Sequence, residues 1–271
     1  MPDLPIADDG LPARDSGKWA EEKLYYLRRY IDIFTTGMWR KWNGNLVFLD
    51  LMAGPGRCYE RETGRCFEGS PLIALRAKTP FKRVLLVEQD PALNAALRQR
   101  VAAPGCRPTP EIIADDVNSP TAIQAMRDVA NGALALAFVD LLGWEVTFAT
   151  IRELTDGRNV DLLITFPEMA LTRNAGQPQE SQWNAFFGTT VWRGIVSDPR
   201  PVRHIIGLRQ LYQQQLKTIH YTHSALLRRP MKNQKGGAMY RPLFASRSGR
   251  GLQFWNEISR RGHDGSLPLF G

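Results

Sequence analysis

The sequence predicts an α/β fold built on a doubly wound, mostly parallel sheet. The first observation is an unbroken apolar run at residues 46–49, of the kind a central strand covered on both faces requires. The second is the continuation of that run into Asp50 and then the small-residue turn Ala53-Gly54-Pro55-Gly56. The third is repetition: strand-like runs ending at Glu88, at Asp115-Asp116 and at Asp140 alternate with segments of helical period. Each strand thus ends in an acid at its carboxyl edge, where open α/β sheets bind their ligands.

Taken in order, residues 1–16 are rich in Pro and Asp and are read as a disordered segment ahead of one domain spanning residues 17–271. Leu24, Leu27, Ile31, Phe34 and Met38 recur at helical spacing and predict a helix over residues 18–40, with Lys23, Arg28 and Arg29 off the apolar stripe. Residues 57–69 read as a polar loop, and Ser70-Pro71 as the cap and first position of a helix. A second strand over residues 83–88 is followed by Asp90-Pro91, a helix start of the same kind. A third strand covers residues 111–116, Ser119-Pro120 opens the next helix, and residues 133–140 form the fourth strand. A short helix over residues 144–154 and a fifth strand over residues 160–166 come next. Residues 167–200, with Trp183, Phe186, Phe187 and Trp192, form an aromatic-rich helical insertion, either a cap packed on the sheet or a lid over a substrate. After another helix through Ile205, Leu208, Tyr212 and Leu216, residues 221–246 read as an antiparallel hairpin, and residues 251–260 as a closing helix.

Composition constrains the partners. The net charge of +8 is concentrated in residues 200–271, which hold 13 Lys and Arg against 2 Asp and Glu. That asymmetry calls for an anionic partner, nucleic acid before an acidic protein surface. Arg228, Arg229, Lys232, Lys235 and Arg241 are the candidate contacts, with Trp183, Phe186 or Trp192 available to stack an unpaired base. Cys58, Cys66 and Cys106 lack C-x-x-C spacing and read as free thiols, and no metal site is expected. No apolar run approaches the roughly 20 residues of a membrane span, and the amino terminus lacks a signal-peptide core. A cytoplasmic location is expected.

The acids at the strand ends suit a methionine-derived sulfonium cofactor. Asp50, Ala53, Gly54 and Gly56 would meet its amino-acid part, Glu88 its ribose hydroxyls, and Asp116 (or Asp115) its adenine amino group. The dinucleotide pattern Gly-x-Gly-x-x-Gly is incomplete, because Tyr59 stands where the third glycine belongs. After the fourth strand comes Asp140-Leu141-Leu142-Gly143-Trp144, where methyltransferases of nucleic-acid amino groups carry an acid or amide, two prolines and an aromatic residue. The acid and a ring are present and the prolines are not. Asp140 and Trp144 are the candidate catalytic residues; the alternative is a non-catalytic or partner-dependent binding module.

The order of these motifs resembles the three-Cys-motif partner protein family (TcmP), over about residues 17–260. The resemblance is carried by Trp19-Ala20-Glu21-Glu22-Lys23, Phe48-Leu49-Asp50 with Ala53-Gly54-Pro55-Gly56, Gly69-Ser70-Pro71, Glu88-Gln89-Asp90, Asp116-Val117-Asn118, Phe138-Val139-Asp140 with Gly143-Trp144, Phe166-Pro167, and Phe187-Gly188 with Trp192. It implies a Rossmann-like methyltransferase sheet, S-adenosylmethionine as cofactor, and a partner bearing a cysteine motif like that of radical S-adenosylmethionine enzymes. The family typically reads Asp-Pro-Tyr-Gly where this chain has Asp140-Leu141-Leu142-Gly143.

Overall fold

The computed structural model describes residues 4–260 and 262. The elements are β1 (Arg14–Ser16), α1 (Trp19–Met38), β2 (Leu46–Asp50), β3 (Arg57–Glu60), β4 (Cys66–Glu68), α2 (Ser70–Leu75), β5 (Arg83–Val87), α3 (Pro91–Val101), β6 (Glu111–Ile113), α4 (Pro120–Ala130), β7 (Leu134–Val139), α5 (Phe148–Thr155), β8 (Asn159–Phe166), α6 (Glu168–Asn174), α7 (Glu180–Phe187), α8 (Trp192–Val196), α9 (Pro201–Thr218), β9 (His223–Leu226), β10 (Met231–Lys232), β11 (Ala238–Ser246) and α10 (Gly249–Ser259).

Eight strands form the main sheet in the order β10-β11-β8-β7-β2-β5-β6, with β9 also pairing with β11. Strands β6, β5, β2, β7 and β8 are mutually parallel, and β11 enters antiparallel to β8. The predicted doubly wound α/β fold is therefore present, with the antiparallel hairpin at its carboxyl-terminal side. The period-two geometry of strands explains why it needs helices on both faces. Val47, Leu49, Leu85, Ala137, Val139 and Ile164 pack into one core with α4, α5, α7 and α9. Their neighbours Leu46, Phe48, Leu86, Leu136, Phe138 and Leu163 pack into the other with α1, α2 and α10.

Three local expectations are revised. From residue 4 on, the amino-terminal segment is ordered: Ile6 bridges Pro12 and β1 pairs in parallel with β3. Arg100 of α3 fastens it, donating to both Asp9 oxygens and to the carbonyls of Leu11, Pro12 and Pro55. The expected disorder of residues 1–3, and the domain's end at residues 261 and 263–271, lie outside the described residues. The polar stretch 57–69 is not a plain loop, because β3 and β4 pair antiparallel and β1 supplies a third strand. Pairing with a distant segment satisfies backbone groups that a local reading assigns to water. Finally, α5 starts at Phe148, capped by the Thr147 hydroxyl accepting from the Thr150 N–H at 3.1 Å.

The crossovers diverge at β2, which leads to β5 and β6 on one side and has β7 and β8 on the other. That divergence opens a crevice at the carboxyl ends of β2, β5 and β7, where the four acid-tipped strands converge.

Candidate functional site

After β2 the chain turns through Gly54 (φ +66°) and Gly56 (φ +85°), left-handed conformations that glycine adopts without strain. The turn is tied to the neighbouring strand. Ala53 N–H donates to the Val87 carbonyl at 2.9 Å, and Gly54 N–H donates to Glu88 Oε2 at 2.8 Å. Glu88 Oε1 accepts from Asp90 N–H, also at 2.8 Å. An ionised carboxylate has about four lone-pair sites, so Glu88 keeps acceptor capacity after fixing two backbone segments. Gly69 closes the other side, its N–H donating to the Gly56 carbonyl at 2.8 Å.

Beside this turn lies a cleft of about 250 Å³, walled by Arg14, Leu51, Met52, Glu88, Asp90, Asp115, Asp116, Leu142 and Glu145 among others. Small-ligand pockets run to about 300–1,000 Å³, and the cleft stands just under the lower edge of that range. Near it a small chamber of about 20 Å³ is walled by Arg14, Lys23, Ala53, Gly56, Ser70 and Asp140. Of the expected cofactor residues, Glu88, Asp115 and Asp116 wall the cleft, and Ala53 and Gly56 wall the chamber. Asp115 spends both oxygens inside the protein, accepting from the Ser119 hydroxyl at 2.6 Å and the Asp116 N–H at 2.8 Å. The Ser119 contact holds its carboxyl below the usual range. Asp116 is exposed and bonds Asn118 through Oδ1.

Asp50 stands apart. It is fully buried and walls neither cavity. Its Oδ1 is 3.4 Å from the Met52 N–H, Oδ2 has no hydrogen-bond partner, and burial pushes its carboxyl up to about 7. Asp50 underlies the turn.

Asp140 is the most elaborated acid. Lys23 of α1 donates to its Oδ1 at 2.8 Å and its Oδ2 at 2.6 Å, and the Thr165 hydroxyl donates to Oδ1 at 3.0 Å. Lys23 also lies over the Tyr240 ring, 5.8 Å from its centroid, and burial raises the Tyr240 phenol to about 12. Sequence reasoning missed Arg14, Lys23, Thr165 and Tyr240. Lys23 lay off the apolar stripe and was assigned no part in the site; the acid facing it is 117 positions away.

The partly buried Trp144 turns away from the cavities, its indole N–H donating to Gln182 and its ring lying 5.9 Å from that of Trp183. Trp183, Phe186, Phe187 and Trp192 are at most 1% exposed: Phe186 packs on Phe166 and Tyr212, Phe187 on Tyr212, and Trp183 on Phe187 and Trp192. The insertion is therefore a packed cap, and these rings are not surfaces for stacking a base. Among the basic candidates, Arg228, Arg229, Lys232 and Lys235 are exposed around β10 and the turn into β11. Arg241 is corrected: its Nε lies 2.5 Å from buried Glu168, and its Nη1 donates to the Leu227 and Arg228 carbonyls. Desolvation of a carboxylate demands such a partner, and Arg209 supplies a second at 2.7 Å.

The polar lining suits a nucleoside carrying a charged tail: carboxylate acceptors line the cleft, and the basic Arg14 lines both cleft and chamber. Among the described residues no helix is long and apolar enough to cross a membrane, and the three cysteines are free thiols.

No protein-family model matches the chain, and no curated protein matches it in sequence. Solved structures do. Protein LPL1258 from Legionella pneumophila is 12% identical, with 93% of this chain and 95% of that one covered and a TM-score of 0.54. The O-methyltransferase TomG from Streptomyces achromogenes, solved with S-adenosylmethionine, is 11% identical over 92% of this chain and 84% of its own, with a TM-score of 0.46. M. jannaschii TYW2, solved with the same compound, is 13% identical over 85% and 76%, with a TM-score of 0.43. At 12% identity the likeness to the Legionella protein is one of fold alone.

Proposed function

We propose that this chain is a cytoplasmic S-adenosylmethionine-dependent methyltransferase of nucleic acid, working with a three-Cys-motif, radical-SAM-like protein. One observation carries the cofactor reading: Glu88, at the end of β5, fixes the glycine turn after β2 while walling the cleft beside it. The remaining lone pairs of Glu88 would accept from two ribose hydroxyls, and Asp116 from an adenine amino group. The Ala53–Gly56 turn would face the amino-acid part. When bound, the sulfonium supplies an electrophilic methyl group. Arg228, Arg229, Lys232 and Lys235 support the choice of substrate class. The start of β11 extends past the β8 terminus, where Arg241 pairs with Phe166, so the basic turn overhangs the carboxyl edge of the sheet. The partner rests on the order of motifs in the sequence.

Calorimetric titration with S-adenosylmethionine tests the reading. Saturable binding by the native chain, weakened in a folded Glu88→Ala variant, is expected, with subsequent transfer of labelled methyl to RNA or DNA when the partner is present. Absence of binding to the folded native chain overturns the cofactor assignment. A second reading is favoured by the Lys23–Asp140 pair, which occupies the candidate base: a binding module that presents nucleic acid to its partner. Transfer by the isolated chain, abolished in Asp140→Ala, would eliminate it.

A further inference from the structure

Arg14 stands between the cleft and the chamber and walls both. A Cβ added to Gly54 would lie 3.7 Å from its Nη1, so the side chain crosses the glycine turn where that turn lacks a side chain of its own. Its guanidinium has no hydrogen-bond or ion-pair partner among the described residues. Its arginine neighbours do: Arg57 pairs with Asp8 at 2.6 Å, Arg100 with Asp9 at 2.7 Å, and Arg61 with Asp15.

Among the described residues, no acid lining the cleft or the chamber pairs with Arg14. Glu88 holds two backbone amides, and Asp140 holds Lys23 and Thr165. A partly buried guanidinium left in this position is poised for an anion from outside the chain. Its planar fork matches a carboxylate in bidentate geometry better than any other side chain does.

The placement is also rigid. Arg14 belongs to β1, whose partners are Cys58, Tyr59 and Glu60 of β3. The strand is preceded by the segment that Arg100 anchors through Asp9, whose carboxyl that guanidinium holds down at about 2. A cation held on a fixed strand loses little freedom on binding.

We propose that Arg14 is the carboxylate-binding residue of this cleft, its guanidinium taking the α-carboxylate of the cofactor's amino-acid part, an inference that rests on the S-adenosylmethionine reading of the site. The acids lining the cleft select for hydroxyl and amino donors of the nucleoside. Arg14 then selects for the amino-acid tail, and the site distinguishes the complete cofactor from its adenosine fragments.

The test is a two-by-two titration, monitored calorimetrically: S-adenosylmethionine and its decarboxylated form, each against the native chain and Arg14→Ala. The two ligands share the sulfonium and the amine and differ in the carboxylate. The native chain is expected to bind the complete cofactor roughly ten- to a hundred-fold more tightly, the range for a charge-assisted contact, and Arg14→Ala to bind the two within about twofold. A fold defect in the variant would weaken both ligands alike, so the lost discrimination is specific to the contact. Should Arg14→Ala not fold, Arg14→Gln enters the same cycle. Equal affinities in the native chain, or discrimination retained in the variant, overturn the Arg14 assignment and leave the cofactor reading standing. Binding of neither ligand by the folded native chain overturns the cofactor reading, and the assignment with it.

Discussion

Lys23 of α1 and Asp140 after β7 form an ion pair in which Nζ lies 2.8 Å from Oδ1 and 2.6 Å from Oδ2, with side chains only 11% and 8% exposed. The pair joins the first helix to the acid-tipped edge of the sheet. Lys23 thus contacts both carboxylate oxygens of Asp140, and a substrate that used this acid would share them with the ammonium.

Removing one member strands the other. Lys23→Met leaves a desolvated carboxylate and is expected to cost roughly 3–5 kcal/mol, measured by urea unfolding. Lys23→Met combined with Asp140→Leu should recover most of the loss, since two apolar groups carry no unpaired charge. Equal losses in the single and double variants would show that Lys23 acts through packing alone.

Stability should fall as pH rises from about 4 to 7. Burial raises the Asp50 carboxyl to about 7 and the Asp161 carboxyl to about 6, the latter accepting from the Tyr30 hydroxyl at 3.0 Å. For an acid raised in the folded state, the stabilising contribution is complete below the unfolded value near 3.9 and is lost as pH climbs through the folded value. Asp161→Asn keeps an acceptor for Tyr30, so its melting temperature should vary less with pH across that window. An unchanged profile would mean that Asp161 is not the titrating group.

Gly69→Ala should disturb the site without backbone strain. A Cβ there would lie 3.1 Å from the carbonyl carbon and oxygen of Gly56, which are backbone atoms and must shift. The turn would move from its 2.8 Å bond to Gly69, and a loss of roughly 1–3 kcal/mol is expected, together with weaker cofactor binding. Wild-type melting behaviour would show the turn to be pliable.

The basic residues should separate into two kinds. Lys232→Ala and Lys235→Ala are expected to leave melting unchanged and, if each meets a phosphate, to lower the salt slope of nucleic-acid binding by about 0.7–0.9 apiece. Arg241→Ala should instead destabilise by roughly 1–3 kcal/mol, because buried Glu168 loses one of two arginines. A salt slope unaffected by both lysine changes would remove them from the interface.

The sequence by itself determined the sheet and the edge that carries the site. Apolar runs at residues 46–49, 84–87 and 134–139 have no solvated face, so they demand helices on both sides, and the acids after them are brought to one edge by parallel pairing. Gly54 and Gly56 were legible for the same reason, because a turn that must take positive φ restricts residue choice locally. What only the tertiary structure decided were the partners. Lys23 meets Asp140, Arg241 meets Glu168, and Arg14 reaches the glycine turn because distant segments are packed together, and no local periodicity records that a charge has been desolvated. The same holds for Trp183 and Trp192, whose aromatic character was visible in the sequence but whose burial came from the packing of α7 and α8 against β8 and α9.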